Sequence, residues 1–180
     1  MSGFSERNKI LVAIVTAVVV AVGTFYLSQI YFVNEFHIYY SLDAKQNDQE
    51  VISVIDKANN YVYFAIYTFT KNNIADALVR AKKRGLVVWG IVDKSQAESG
   101  FETNVLKKLA DAGVTVETQK HPDGIMHIKA VVTDNEYAFG SYNWTDSATN
   151  VNDEILEVGS NNSLRQQYLA IIQKLLLTNQ

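Results

Sequence analysis

A chain of 180 residues has room for one domain with a real core plus a short appendage, and its single proline argues against long flexible linkers. The absence of cysteine excludes disulfides, thiolate zinc sites and a cysteine nucleophile. A net charge of −3, from 16 Lys and Arg against 19 Asp and Glu, is not the broad basic field of a high-affinity nucleic-acid binder, although a local basic site remains compatible with it.

Residues 1–9 read as a short tail. From Ile10 to Val33 no charged residue occurs, and about 20 mostly apolar residues suffice to cross a bilayer, so 10–33 is expected to be a transmembrane anchor. Phe25, Tyr26, Tyr31 and Phe32 gather toward its end, where aromatic rings favour the membrane–water boundary. A cleaved signal peptide is the rival, with Ala21-Val22-Gly23 as its best cleavage site, but strongly apolar sequence continues beyond it. Arg7 and Lys9 precede the span while Glu35 and His37 follow it. The positive-inside bias then leaves the N-terminus in the cytoplasm and the domain, 34–180, on the opposite side, periplasmic or extracellular in a bacterium.

Within the domain, strands and helices alternate. Phe36–Tyr40 is a short strand. Asp48–Ala58 carries Val51, Ile52, Val54 and Ile55 at helical spacing. The aromatic and β-branched run Tyr61–Phe69 is a buried central strand, and Leu86–Val92 is a second. Between them lies a helix capped by Asn72 or Asn73 and ending in Lys82-Lys83-Arg84-Gly85, a basic cluster better read as a helix ending than as a binding patch. Glu102–Ala112 is a helix closed by Gly113, and Val114–Thr118 a strand. After a loop, a strand containing His127 turns at Asp134-Asn135-Glu136 and pairs back through Tyr137–Ser141. Glu154–Val158 is the last strand. Ser163 caps a final helix expected to face Leu164, Tyr168, Ile171, Ile172 and Leu175 inward. The order implies an α/β fold, a mixed sheet with helices on both faces.

His127 and Lys129, two residues apart in a strand, share a face, and Ser141 and Asn143 repeat that spacing just after Gly140. Imidazole, ammonium, hydroxyl and amide around one point suit an anionic tetrahedral centre. A neutral imidazole is a useful nucleophile toward a phosphodiester; the Lys129 ammonium and Asn143 amide can hold the non-bridging oxygens, and Ser141 can add a hydrogen bond. A metal site from His121, Asp123, His127 and Asp134 is disfavoured because Lys129 would repel the cation. Tyr67, Phe69, Tyr142 and Trp144 could line a groove and stack bases, although aromatics beside strands are more often core.

His-x-Lys, four residues, Asp, a short interval, then Gly-Ser-x-Asn resembles the motif of the phospholipase D superfamily. Five residues separate Asp134 from Gly140 where the family usually has six, so the turn at 134–136 is expected to absorb the difference. A single copy is similar to the small dimeric endonucleases and the membrane-anchored mitochondrial members. The resemblance implies a phospholipase D-like sheet sandwiched by helices, catalysis without metal or cofactor, and Glu154 as the carboxylate that orients His127, with Asp153 and Glu157 weaker candidates. It also implies that Asp134 is a structural acid tying loops together. One imidazole cannot be both nucleophile and acid in the same step. His37 lies near the membrane end and His121 on a loop; family members join two motifs across a two-fold axis, so the resemblance implies a homodimer supplying a second His127. The leading expectation is an endonuclease hydrolysing DNA or RNA through a phosphohistidine. A phospholipase acting on phosphatidyl head groups or cardiolipin, or a silent membrane-tethered interaction module, are the alternatives.

Overall fold

The computed structural model describes residues 5–32, 36–120 and 123–179; Val33, Glu35 and His121, each invoked above, lie outside them. The chain divides into two compact units, Met1–Glu35 and Phe36–Gln180. The first is a single helix, α1 (Glu6–Phe32), long and apolar enough by length and composition to cross a bilayer, with exposed side chains from Glu6 to Leu27. The Thr24 hydroxyl donates back to the carbonyls of Val20 and Ala21 at 2.9 Å, which satisfies it within the helix.

The second unit is built on a seven-stranded mixed sheet in the order β1-β7-β6-β5-β2-β3-β4. β2 (Tyr61–Ile66), β3 (Val87–Val92) and β4 (Thr115–Thr118) run parallel, and helices α4 (Asn72–Lys83), α5 (Lys94–Glu98) and α6 (Thr103–Asp111) make the returns. β5 (Lys129–Thr133), β6 (Tyr137–Gly140), β7 (Ile155–Gly159) and β1 (Phe36–Tyr40) extend the sheet antiparallel. β2 sits between a parallel and an antiparallel neighbour and is covered on both faces, which is why its sequence is continuously apolar and not alternating.

Two apolar clusters flank the sheet. On one face α3 (Asn47–Asp56), α4 and α6 bring Val51, Ile55, Ile74, Leu78 and Leu109 onto Val62, Phe64, Val131 and Leu156. On the other, α8 (Asn162–Thr178) lays Leu169, Ile172 and Leu176 on Ala65, Ile91, Val132 and Tyr137. Burying each such α8 side chain contributes about 1.5–3 kcal/mol. α8 covers β2, β3 and β5 and leaves much of β6, β7 and β1 open on that face, where Phe36, Ile38, Tyr40, Phe139 and Ile155 are exposed.

Several local expectations are corrected. α4 begins after Lys71 with no side-chain cap; Asn73 lies inside the helix and donates to Asp48 at 2.7 Å. α8 is capped by Asn161, whose Oδ1 accepts from the Leu164 amide at 3.0 Å, and not by Ser163. Of its expected inward residues, Tyr168, Ile172 and Leu175 do pack against the sheet, joined by Leu169 and Leu176, while Ile171 and Leu164 are exposed. Three short helices were not expected: α2 (Ser41–Ala44), α5 and α7 (Asp146–Asn150). The basic cluster after α4 does terminate a helix. Gly85 takes a φ of 88°, Arg80 and Arg84 pair with Asp56, and Arg84 also donates to the carbonyls of Ile55 and Ala58 at the end of α3.

Candidate active site

β5 and β6 form a tight hairpin in which Val132 faces Tyr137 and Thr133 N–H reaches the Glu136 carbonyl at 2.9 Å. The shortened interval is therefore absorbed at Asp134-Asn135, and pairing stays regular up to Gly140. Gly140 is required there for a steric reason: a Cβ would meet the Ile155 carbonyl oxygen at 2.1 Å, so any side chain would force β6 and β7 apart.

At the open end of this hairpin the site residues gather. Lys129 opens β5 and is buried, whereas His127 is exposed and lies in irregular chain just before the strand. The expectation of a shared strand face for these two is thus replaced by a different link: the Lys129 ammonium donates to the His127 carbonyl at 2.9 Å. Tyr67, one residue past β2, joins both. Its ring centroid is 4.5 Å from that of His127, and Lys129 Nζ stands 4.9 Å over the same ring. Burial holds the Lys129 pKa below the usual lysine value, opposed by the charge of Glu154.

Glu154, buried just ahead of β7, accepts from the Ser141 hydroxyl at 2.5 Å and from Asn152 Nδ2 at 3.3 Å. Among the described residues no hydrogen bond joins it to His127, so in this structure the carboxylate orients Ser141 and not the imidazole. Ser41 fixes the Glu154 backbone on both sides, donating from its amide to the Glu154 carbonyl and accepting from the Glu154 amide, both at 3.0 Å. Asp153, a weaker candidate, bonds the Tyr40 hydroxyl, and Glu157 accepts from Tyr137 at 2.6 Å. Both are thereby engaged away from His127.

Asn143 Oδ1 accepts from the Thr68 amide at 3.3 Å, which leaves its NH2 group as the part available to meet a substrate oxygen. The surrounding backbone is laced: Trp144 N–H reaches the Thr68 carbonyl at 3.0 Å, and the Thr70 and Lys71 amides reach the Trp144 carbonyl at 2.9 Å. This packing buries Phe69, Tyr142 and Trp144 in the core, so of the four aromatics considered for a stacking groove only Tyr67 retains exposure.

Asp134 stands at the opposite end of β5 and contacts none of these groups. It accepts from the Asn59 and Asn60 amides at 3.0 and 3.1 Å and from Asn60 Nδ2 at 2.8 Å, tying the hairpin turn to the segment entering β2. Burial raises its pKa, but these bonds win and hold it below the usual aspartate value. With its oxygens so engaged, Asp134 is not offered to a metal. His37 lies on edge strand β1 against Tyr39.

Two acids that sequence reasoning did not single out organise the site from behind. Asp93 caps α5 through Ser95 and Gln96 and, with its other oxygen, accepts from the Met126 amide at 2.9 Å, fixing the chain that leads into His127. Burial opposes ionisation of Asp93, yet the bonds from Ser95, Met126 and Gln96 leave its pKa lowered. Glu102, fully buried at the start of α6, accepts from the Phe69 amide at 2.6 Å, while its second oxygen has no partner among the described residues. Burial pushes its pKa up to about 7; the Phe69 bond counters this and the charge of Asp93 adds to it. The only sequence signal for either was an acid at a helix start, which ordinary capping explains equally well.

A family profile described as "Cardiolipin synthase, PLD-like domain" matches residues 51–176, a span containing His127, Lys129, Asp134, Ser141, Asn143 and Glu154. A phospholipase D of Rickettsia conorii is 31% identical over 120 residues, 66% of this chain and 58% of that protein. A mitochondrial cardiolipin hydrolase of Chlamydomonas reinhardtii is 25% identical over 124 residues, 69% of this chain and 55% of that protein. The chain therefore spans less than two thirds of the length of these relatives. Among solved structures, the phospholipase D family member Nuc from Salmonella typhimurium superposes with a TM-score of 0.71 at 26% identity, over 78% of this chain and 94% of that one. The fold of NucT from Helicobacter pylori is also similar, with a TM-score of 0.68 at 24% identity. Motif, sheet order and these similarities agree, and the chain belongs to the phospholipase D superfamily.

Proposed function

We propose that this protein is a membrane-anchored phosphodiesterase working as a homodimer, with α1 as a single-pass anchor and the N-terminus in the cytoplasm. The observation that carries the chemistry is the pairing of an exposed His127 with a buried, adjacent Lys129, with Ser141, Glu154 and Asn143 completing the surroundings. His127 attacks phosphorus and forms an N–P bond as the P–O bond to the leaving group breaks; Lys129 and the Asn143 amide meet the phosphoryl oxygens, and the Ser141 hydroxyl adds a bond on turning from Glu154. The leaving oxygen takes its proton from a second imidazole, assigned to the partner subunit's His127. Water then attacks the phosphohistidine, giving up a proton to that same partner ring and restoring the first.

Support for the dimer comes from the exposed apolar strip Phe36, Ile38, Tyr40 and Ile155, which reaches the strand end beside Glu154 and Ser141. Nucleic acid is the first substrate assignment, following the resemblance to small single-motif nucleases and the similarity to Nuc over 94% of its length. A phospholipid such as cardiolipin is the second reading, favoured by the names of the Rickettsia and Chlamydomonas relatives and by the apolar helix α1.

The test is full-length protein in detergent, incubated with single- and double-stranded DNA, RNA, phosphatidylcholine and cardiolipin. Nucleic-acid cleavage abolished by His127→Asn is the expected result. Lipid turnover without nucleic-acid cleavage reverses the substrate order, and a folded dimer inactive on all of them returns the chain to the interaction-module reading.

A further inference from the structure

The geometry points to Tyr67 as a positioning residue: its ring face keeps the Lys129 ammonium charged without neutralising it, and the same ring seats the His127 imidazole. This rests on the phosphodiesterase reading above and adds the group that readies both of its central residues.

A buried ammonium needs compensation, and the molecule shows two ways of providing it. Lys71 is gripped by Asp48 and Asp146 at 3.0 and 2.9 Å, which carries its pKa above the usual lysine value even against burial. Such a lysine is neutralised, and its N–H groups already face carboxylate oxygens that a phosphate would have to displace. Among the described residues Lys129 has no carboxylate within 4.0 Å. It has one carbonyl, at 2.9 Å, and the face of Tyr67 at 4.9 Å. An ammonium carries three donors, so two remain for substrate. The ring's quadrupole attracts the cation and accepts no full hydrogen bond in return, so the positive charge stays available to an anion.

The ring is itself held in place. Gln96 Nε2 donates to the Tyr67 hydroxyl at 3.3 Å, while Gln96 Oε1 accepts from the Thr68 hydroxyl at 3.3 Å. Gln96 belongs to α5, whose cap Asp93 also holds the Met126 amide. One short helix thus sets both the far end of Tyr67 and the chain entering His127. The titratable and charged groups facing Lys129 are His127, Tyr67 and Glu154.

The experiment replaces Tyr67 in the full-length protein with Phe and then with increasingly fluorinated phenylalanines, which drain the ring face of negative charge at nearly constant shape and so preserve folding. Two readouts are taken: the pH dependence of kcat/KM with bis(p-nitrophenyl) phosphate, and the Lys129 titration by NMR of 13C-methylated lysines, assigned with Lys129→Arg. Tyr67→Phe is expected to stay within about threefold of the parent, because the ring face is retained. The pentafluoro side chain is expected to lower kcat/KM by roughly tenfold or more across the pH profile, and to move the Lys129 titration down by about one pH unit. A Lys129 titration indifferent to fluorination, or a Phe variant as impaired as the pentafluoro one, overturns the proposal. A parent protein that cleaves no diester while the Lys129 titration still follows fluorination would defeat the phosphodiesterase reading and leave the role of the ring intact.

Discussion

The two ends of the β5–β6 hairpin treat their charged residues in opposite ways. At the turn, Asp134 meets three N–H donors and holds its proton less tightly than a free aspartate. At the open end, Lys129 is buried with one carbonyl and one ring for company, and burial weakens its hold on the proton. A matched charge stabilises the fold and does nothing else; an under-matched one costs stability and retains capacity for a ligand. The same motif therefore contains a structural end and a chemical end, and the two should respond differently to mutation.

The largest contrast is expected at His127. His127→Asn should lower kcat by about 10³-fold or more with little change in melting temperature, since the ring is exposed. Lys129→Met should follow, with kcat/KM down by roughly 10²-fold while stability holds or rises, because a desolvated cation is removed. Urea denaturation alongside kinetics checks both. Asp134→Ala should reverse the pattern, costing about 2–3 kcal/mol of stability from its lost bonds while the surviving folded protein keeps most of its kcat. Because the Asp134 pKa is depressed by folding, its contribution is present above the ordinary aspartate range and is lost as the pH falls through its folded value. A parent protein that loses stability on acidification no faster than Asp134→Ala would contradict this assignment.

The remaining effect is a slope with pH. The Glu102 pKa is raised by folding to about 7, so its contribution is fully present below the unfolded value and is lost as the pH rises through the folded one. Between pH 5 and 8 the parent should lose up to about 3 kcal/mol through this group. Glu102→Gln keeps an acceptor for the Phe69 amide and removes the ionisation, so its stability should be flatter across that window. Parallel curves for the two proteins would show that Glu102 does not titrate there.

What was legible in the sequence followed from residue type and period. The runs that became β2 and β3 announced buried strands because they are apolar without alternation, and the Asp134 turn was readable from the motif spacing. On α8 the inward side was legible through Tyr168, Ile172 and Leu175, but Ile171 was misplaced because it is as apolar as Ile172, and only the sheet's position decides which turns in. The helices α2, α5 and α7, of four or five residues, are too short to display a helical period. His127 was placed inside a strand because Lys129 two residues on is, and the ladder begins only at Lys129. Glu154 proved to bond Ser141, which spacing could not reveal. Asp93 and Glu102 stayed hidden because each acts through a backbone amide 33 residues away, and an amide has no sequence signature.

The most direct measurement is rapid quenching of full-length protein during turnover of a 32P-labelled diester, followed by peptide mapping of the label. The account predicts an acid-labile, base-stable phosphate on the peptide carrying His127, formed and lost at the rate of turnover. Steady product formation with no such adduct, or with the label on another residue, would contradict it.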